Sequence, residues 1–203
     1  MTLMTSSAAT RQSGPTRREQ LLAAAAELFA RHGFHGVGID DIGSAVGISG
    51  PGVYRHFRSK DAMLGEMLLD ISQKLLDGGG SRAATAPDPI SALNALVDWQ
   101  LDFALDNRAL ITVHERNLGN LAEGDRRQVR ALQRRYVEMW VRVIMQAVPD
   151  LDDEPAARAA AHAVFGLLNS TPHSAHLDRA AMAGLLRRMA LAAITSPGTL
   201  SGE

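Results

Sequence analysis

The chain has 203 residues, 46% of them hydrophobic and 21% charged, and no cysteine, which supports a sizeable core and excludes disulfide scaffolds, zinc ribbons and thiol nucleophiles. The net charge of −1 is unevenly spread: residues 1–60 hold seven Lys/Arg against four Asp/Glu, and residues 61–203 hold 14 against 18. The basic portion, suited to an anionic partner, is therefore N-terminal.

The segment MTLMTSSAATRQSGPTRRE lacks the apolar stretch of a secretory signal, and no apolar run approaches the 18 residues of a membrane span. Residues 1–14 read as a flexible arm, and the cysteine-free chain as cytoplasmic. Helical periodicity dominates throughout, so the expected fold is all-α with about nine helices. The first is expected from Pro15 to His32, with Leu21, Leu22, Ala25, Leu28 and Phe29 on one face and Gly33 as its stop.

Two short helical pieces follow about Gly47-Ile48-Ser49. Asp40 and Asp41 occupy the first turn of one, and Ser49 is placed to cap the other. Ser59 caps KDAMLGEMLLDISQKLLD, which is expected to stop at Gly78–Gly80, leaving residues 78–88 as a loop. Asp88-Pro89 then opens ISALNALVDWQLDFAL, and RALITVHERNLGNL follows. A long helix is expected from Asp125 to Val148, another from Asp153 through ARAAAHAVFGLLNS, and a last one capped by Asp178. Residues 15–61 and 62–203 read as two domains.

Two short helices about a glycine-containing turn form a helix-turn-helix, whose second helix can enter the major groove of DNA. With LFARHGF, DDIGSAVGIS, VYRHF and SKDAM in register from Arg17 to about Leu69, the chain resembles the TetR family of bacterial regulators. The resemblance implies that Tyr54 and His56 touch operator phosphates and that Lys60 clamps the DNA backbone. Arg55 is the candidate base reader, since a guanidinium forks onto guanine O6 and N7. Arg17 and Arg18 are candidates for phosphate or minor-groove contact. Ser49, Gly50 and Gly52 form the leading edge of the recognition helix, where the absence of side chains at the glycines lets the backbone approach DNA. Gly38 and Gly52 stand where relatives often carry hydroxyl side chains.

Five of the nine Phe, Trp and Tyr residues lie in the C-terminal portion, with Trp99/Phe103 and Tyr136/Trp140 each spaced i, i+4. They read as core or as walls of an apolar ligand cavity. Phe165 joins them, and His114, Arg116, Asn117 and Asn169 are the polar candidates. The helices containing Ala156, Ala159, Ala160, Ala163 and Gly166, and Ala183, Leu186, Ala190 and Ala193, have faces of small residues. The resemblance implies a homodimer built on this pair, and a two-fold dimer matches a palindromic double-stranded operator. RNLGNL, QRRYVEMW and GPGVYRHF look similar to actinobacterial regulators of lipid catabolism, which points to an acyl-CoA or other lipid-like effector. A DNA-binding protein without an effector is the alternative. An enzyme using His114/Glu115 or a metal on His173/His176 lacks a third ligand or nucleophile nearby, so no metal, cofactor or catalytic residue is expected.

Overall fold

The computed structural model describes residues 14–174 and 176–195, and helices account for most of them, with no strand among the described residues. The expected arm, residues 1–14, lies outside them but for Gly14. Helix α1 is Arg17–His32. It starts two residues later than the Pro15 expectation, because Thr16 closes a capping box with Glu19 and places Pro15 ahead of the cap. Gly33, at φ 74°, ends it.

Helices α2, Ile39–Ala45, and α3, Gly50–Tyr54, form the helix-turn-helix. The left-handed φ of 74° at Gly47 suits a residue without Cβ. A Cβ on Gly43 would lie 2.7 Å from the Ile48 carbonyl oxygen and 3.0 Å from Val53, so Gly43 lets the turn fold back on α2. Ile42, Val53 and Phe57 join Leu21, Ala25 and Phe29 in one buried cluster.

Helix α4 is Lys60–Thr85, capped by Ser59, whose hydroxyl accepts the Ala62 amide. It passes straight through the glycine triplet, contrary to the expected loop at 78–88. The cause is packing: a Cβ on Gly78 would sit 2.3 Å from the Trp99 ring, and one on Gly79 would meet Met139 and Tyr136 at 2.9 Å. Close approach of two neighbouring helices outweighs the roughly 1 kcal/mol that each glycine costs a helix.

Those neighbours are α5, Pro89–Asp106, which starts at the Asp88 cap as expected, and α7, Glu123–Ala147. Between them lies α6, Arg108–Asn117, followed by one 3-10 turn, Leu118–Asn120. A second 3-10 turn, Pro149–Leu151, leads to α8, Glu154–Leu168. The single helical turn α9, Thr171–Ser174, is pinned by the Thr171 hydroxyl donating to the Ala104 carbonyl at 2.9 Å. Helix α10, Arg179–Thr195, is tied to α5 by Arg179 on Asp102 and Asp106 and by Arg187 on Asp98.

The body packs α4, α5, α7 and α8 around Trp140, Leu96, Ile144 and Leu168, all buried. The head, α1–α3, joins it chiefly through α1, packed against α6 and α4, and through the loop after α1, where His35 lies 3.3 Å from the Asn120 side chain.

Candidate nucleic-acid interface and ligand cavity

Helix α3 projects its polar residues outward because Val53 on its other face, and Phe57 just beyond its end, are anchored in the core. Tyr54 is 56% exposed and Arg55 is exposed, and neither side chain has a hydrogen-bond or salt-bridge partner among the described residues. His56 is half-buried at the edge of a wide cleft of about 950 Å³ between head and body. Ser49 occupies the N-cap position, but its hydroxyl makes no capping bond and stays exposed. A phenol, a guanidinium and a hydroxyl are thus presented on one short helix with their hydrogen-bonding capacity free.

The two glycines separate. Gly50 is buried, and a Cβ there would fall 2.0 Å from an Asp40 carboxylate oxygen, so within the chain its smallness admits the close approach of α2. At Gly52 a Cβ would make only ordinary contacts with Ile48 and Ser49, at 3.4–3.6 Å.

The other basic candidates are held within the protein. The Lys60 ammonium donates to the Phe34 and Val37 carbonyls at 2.7 Å each and lies 4.5 Å from the centre of the Phe34 ring. It staples the loop between α1 and α2 to the start of α4. Arg17 donates to the Val46 carbonyl at 2.9 Å. Arg18 pairs with Glu66, with Nε–Oε1 at 2.8 Å, donates to the His56 carbonyl and covers the Phe57 ring. Charge alone marks such residues as anion ligands; only their partners show that three guanidinium or ammonium groups brace the head. Gly38 caps α2 without a hydroxyl, and the Asp41 carboxylate accepts its amide at 2.8 Å.

In the body, a cavity of about 270 Å³ opens between α4, α5, α6, α7 and α8. Four expected residues line it: His114, Tyr136, Phe165 and Asn169. Five do not. Trp99 is turned to α4, where its indole donates to the Leu75 carbonyl at 3.2 Å and Arg82 stacks 3.9 Å above the ring. Phe103 packs on the core, and Trp140 is fully buried behind Phe165 with ring centroids 4.9 Å apart. Arg116 is exposed, and Asn117 is spent on the Val113 carbonyl and on Asn120.

Sequence reasoning missed Ser72, Gln100, Gln133 and His162, which complete the polar lining. Gln100 had a signal: it interrupts the apolar stripe Leu93, Leu96, Val97, Ala104 on α5, where a polar residue needs a partner. It has two, accepting from the Tyr136 hydroxyl at 3.0 Å and donating to Asn169 at 2.8 Å. At the other end, His114 Nε2 lies 2.6 Å from the Gln133 amide nitrogen, which fits a neutral imidazole accepting from the amide. Burial holds the His114 pKa below its ordinary value and pushes the Tyr136 phenol well above its own, so both groups are neutral near pH 7.

A braced helix-turn-helix on an all-helical body with an internal cavity defines the class of one-component, DNA-binding bacterial regulators. The chain belongs to the TetR family: the model "Bacterial regulatory proteins, tetR family" matches residues 21–67, and "Tetracyclin repressor-like, C-terminal domain" matches residues 86–173. Among curated relatives, the HTH-type transcriptional repressor KstR2 of Mycolicibacterium smegmatis is 29% identical over 146 residues, covering 68% of this chain and 70% of that protein. A TetR-family regulator from Bordetella parapertussis superposes with a TM-score of 0.77 at 25% identity, covering 86% of this chain and 93% of the other. The fold is shared also with AibR, solved with isovaleryl coenzyme A and operator DNA, at a TM-score of 0.71 and 18% identity, with 86% and 97% covered. The protein is accordingly a DNA-binding transcriptional regulator, and no helix among the described residues is long and apolar enough to cross a membrane.

Proposed function

We propose that this protein is a dimeric repressor which binds a palindromic operator through Tyr54, Arg55, His56 and Ser49 and is released by a small apolar or lipid-like effector, an acyl-CoA ester being the leading class. The observation that carries the reading is the cavity: its walls include α4 and α6, the two body helices that pack on α1 of the head. An occupant that favours one arrangement of those walls also favours one placement of the reading heads, and differential affinity of this kind is the only way a ligand shifts such an equilibrium. AibR, which shares the fold, was solved with an acyl-CoA and an operator.

For the dimer, α8 leaves Ala159, Ala163 and Gly166 exposed, and α10 leaves Leu185, Met189 and Ala193 exposed, while Leu186 and Ala190 turn inward. Small residues beside exposed apolar ones supply a face that a second copy covers by two-fold symmetry. Within the head, Arg55 reads bases, Tyr54 and His56 hold phosphates, and Lys60, Arg17 and Arg18 keep α3 at the angle the groove requires.

The test is protection of the DNA upstream of the protein's own gene, repeated with acyl-CoA esters. A two-fold-symmetric footprint that an acyl-CoA abolishes is the expected result. A footprint that no ester releases would support a regulator without an effector, and no footprint even at low salt would overturn the proposal.

A further inference from the structure

The cavity lining contains no Lys, Arg, Asp or Glu. Its titratable groups are His114, Tyr136 and His162; the first two are held neutral by burial, and His162 lies on the exposed face of α8. Arg82, whose charge is felt at Tyr136, is not part of the lining: its guanidinium lies on the Trp99 ring and donates to the Gly78 carbonyl at 3.0 Å. A ligand carboxylate entering this space would give up its hydration without a counter-ion, an expensive exchange.

Polar capacity is nonetheless present at the α5–α8 end. Tyr136 donates to Gln100, and Gln100 donates to the Asn169 side-chain oxygen. That leaves the Asn169 amide N–H groups without a hydrogen-bond partner among the described residues, half-buried at the cavity. The relay fixes the amide's orientation from behind, so a donor is presented to whatever occupies the space. Leu75, Val137 and Phe165 supply the apolar walls, and a volume of about 270 Å³ admits only a small group.

We infer that the part of the effector held inside the body is a small uncharged group carrying one hydrogen-bond-accepting carbonyl, as in an ester, thioester or ketone, and that the corresponding free carboxylate is discriminated against. The Asn169 amide, held by Gln100 and Tyr136, receives that carbonyl. The inference rests on the reading of the chain as a ligand-responsive regulator, and it goes further by separating the acyl derivative from the acid.

The experiment uses the full chain at pH 8 with three probes: hexanoate, methyl hexanoate and the N-acetylcysteamine thioester of hexanoic acid. Binding is followed by intrinsic tryptophan fluorescence, because Trp140 packs on Phe165 of the cavity wall. The ester and thioester are expected to bind at least about ten-fold more tightly than hexanoate, since an unpaired buried charge costs well over 1.4 kcal/mol. Asn169→Leu, and separately the milder Tyr136→Phe, are expected to weaken the ester and thioester and to narrow that gap. Equal or tighter binding of hexanoate overturns the inference, as does failure of both the ester and the thioester to bind, or ester binding unchanged in both folded variants. Operator binding is measured on the same samples: its presence alongside any of those results leaves the regulator standing and removes only the ligand class, whereas its absence removes the regulator itself.

Discussion

At the scale of single residues, a basic side chain near a recognition helix can serve DNA or serve the head that presents it. Lys60 is held by the Phe34 and Val37 carbonyls while the Arg55 side chain has no hydrogen-bond or salt-bridge partner among the described residues, so the proposed reading sets the two on opposite sides of that division. Arg55→Ala is expected to leave the melting temperature unchanged while relaxing base preference by about 1–3 kcal/mol at one operator position, measured by competition among operator variants. Lys60→Met is expected to lower stability by roughly 1–3 kcal/mol, because the Phe34 and Val37 carbonyls lose a charged donor. Chemical denaturation reads that loss; an unchanged midpoint with a reduced salt slope would return Lys60 to the DNA backbone. The distinction was not legible in the sequence, since the partners of Lys60 lie 23 and 26 residues away and are main-chain atoms. What was legible was the cooperation of Gly47, Val53, Phe57 and the outward polar residues, whose spacing alone defines a helix-turn-helix.

At the scale of elements, caps were readable and close approaches were not. Ser59, Asp88 and Asp178 each accept a main-chain amide three residues on, a local relation that spacing reveals. Gly78–Gly80 looked like a stop because the residues that require their smallness, Trp99 and Tyr136, belong to other helices. The three glycines are expected to respond differently to a methyl group. Gly80→Ala meets only Met139 Sδ at 3.8 Å and should stabilise by about 0.5–1 kcal/mol, whereas Gly78→Ala drives into the rigid Trp99 ring and should destabilise by about 1–3 kcal/mol. Thermal melts of the two variants check this, and a stabilising Gly78→Ala would show that the α4–α5 contact is looser than described. The cavity was half legible for the same reason: helical spacing grouped Tyr136 with Trp140, yet only the crossing of five helices selects Tyr136 and buries Trp140 behind it.

At the scale of the whole molecule, α4 and α6 both line the cavity and pack on α1 of the head, and the neutral His114 lies on the cavity side of α6. Its pKa is depressed in the folded state, so between that value and the ordinary 6.5 the unfolded chain binds a proton that the folded chain declines. Stability from this group is full above 6.5 and is lost as pH falls through the folded value. Melts from pH 8 to pH 5 should therefore show a loss that His114→Gln reduces; an identical pH dependence in the variant would assign the loss elsewhere. Finally, α4 is a single rod of 26 residues, about 39 Å at 1.5 Å per residue, whose two ends are sheltered for different reasons. Near Met63, Leu64 and Met67 the sequence favours helix by itself, while from Gly78 onward the backbone stays wound only because α5 and α7 hold it. Amide protons at the far end thus exchange with water at a rate set by the body's integrity, so one continuous helix carries separate local records of how firmly each half of the protein is closed.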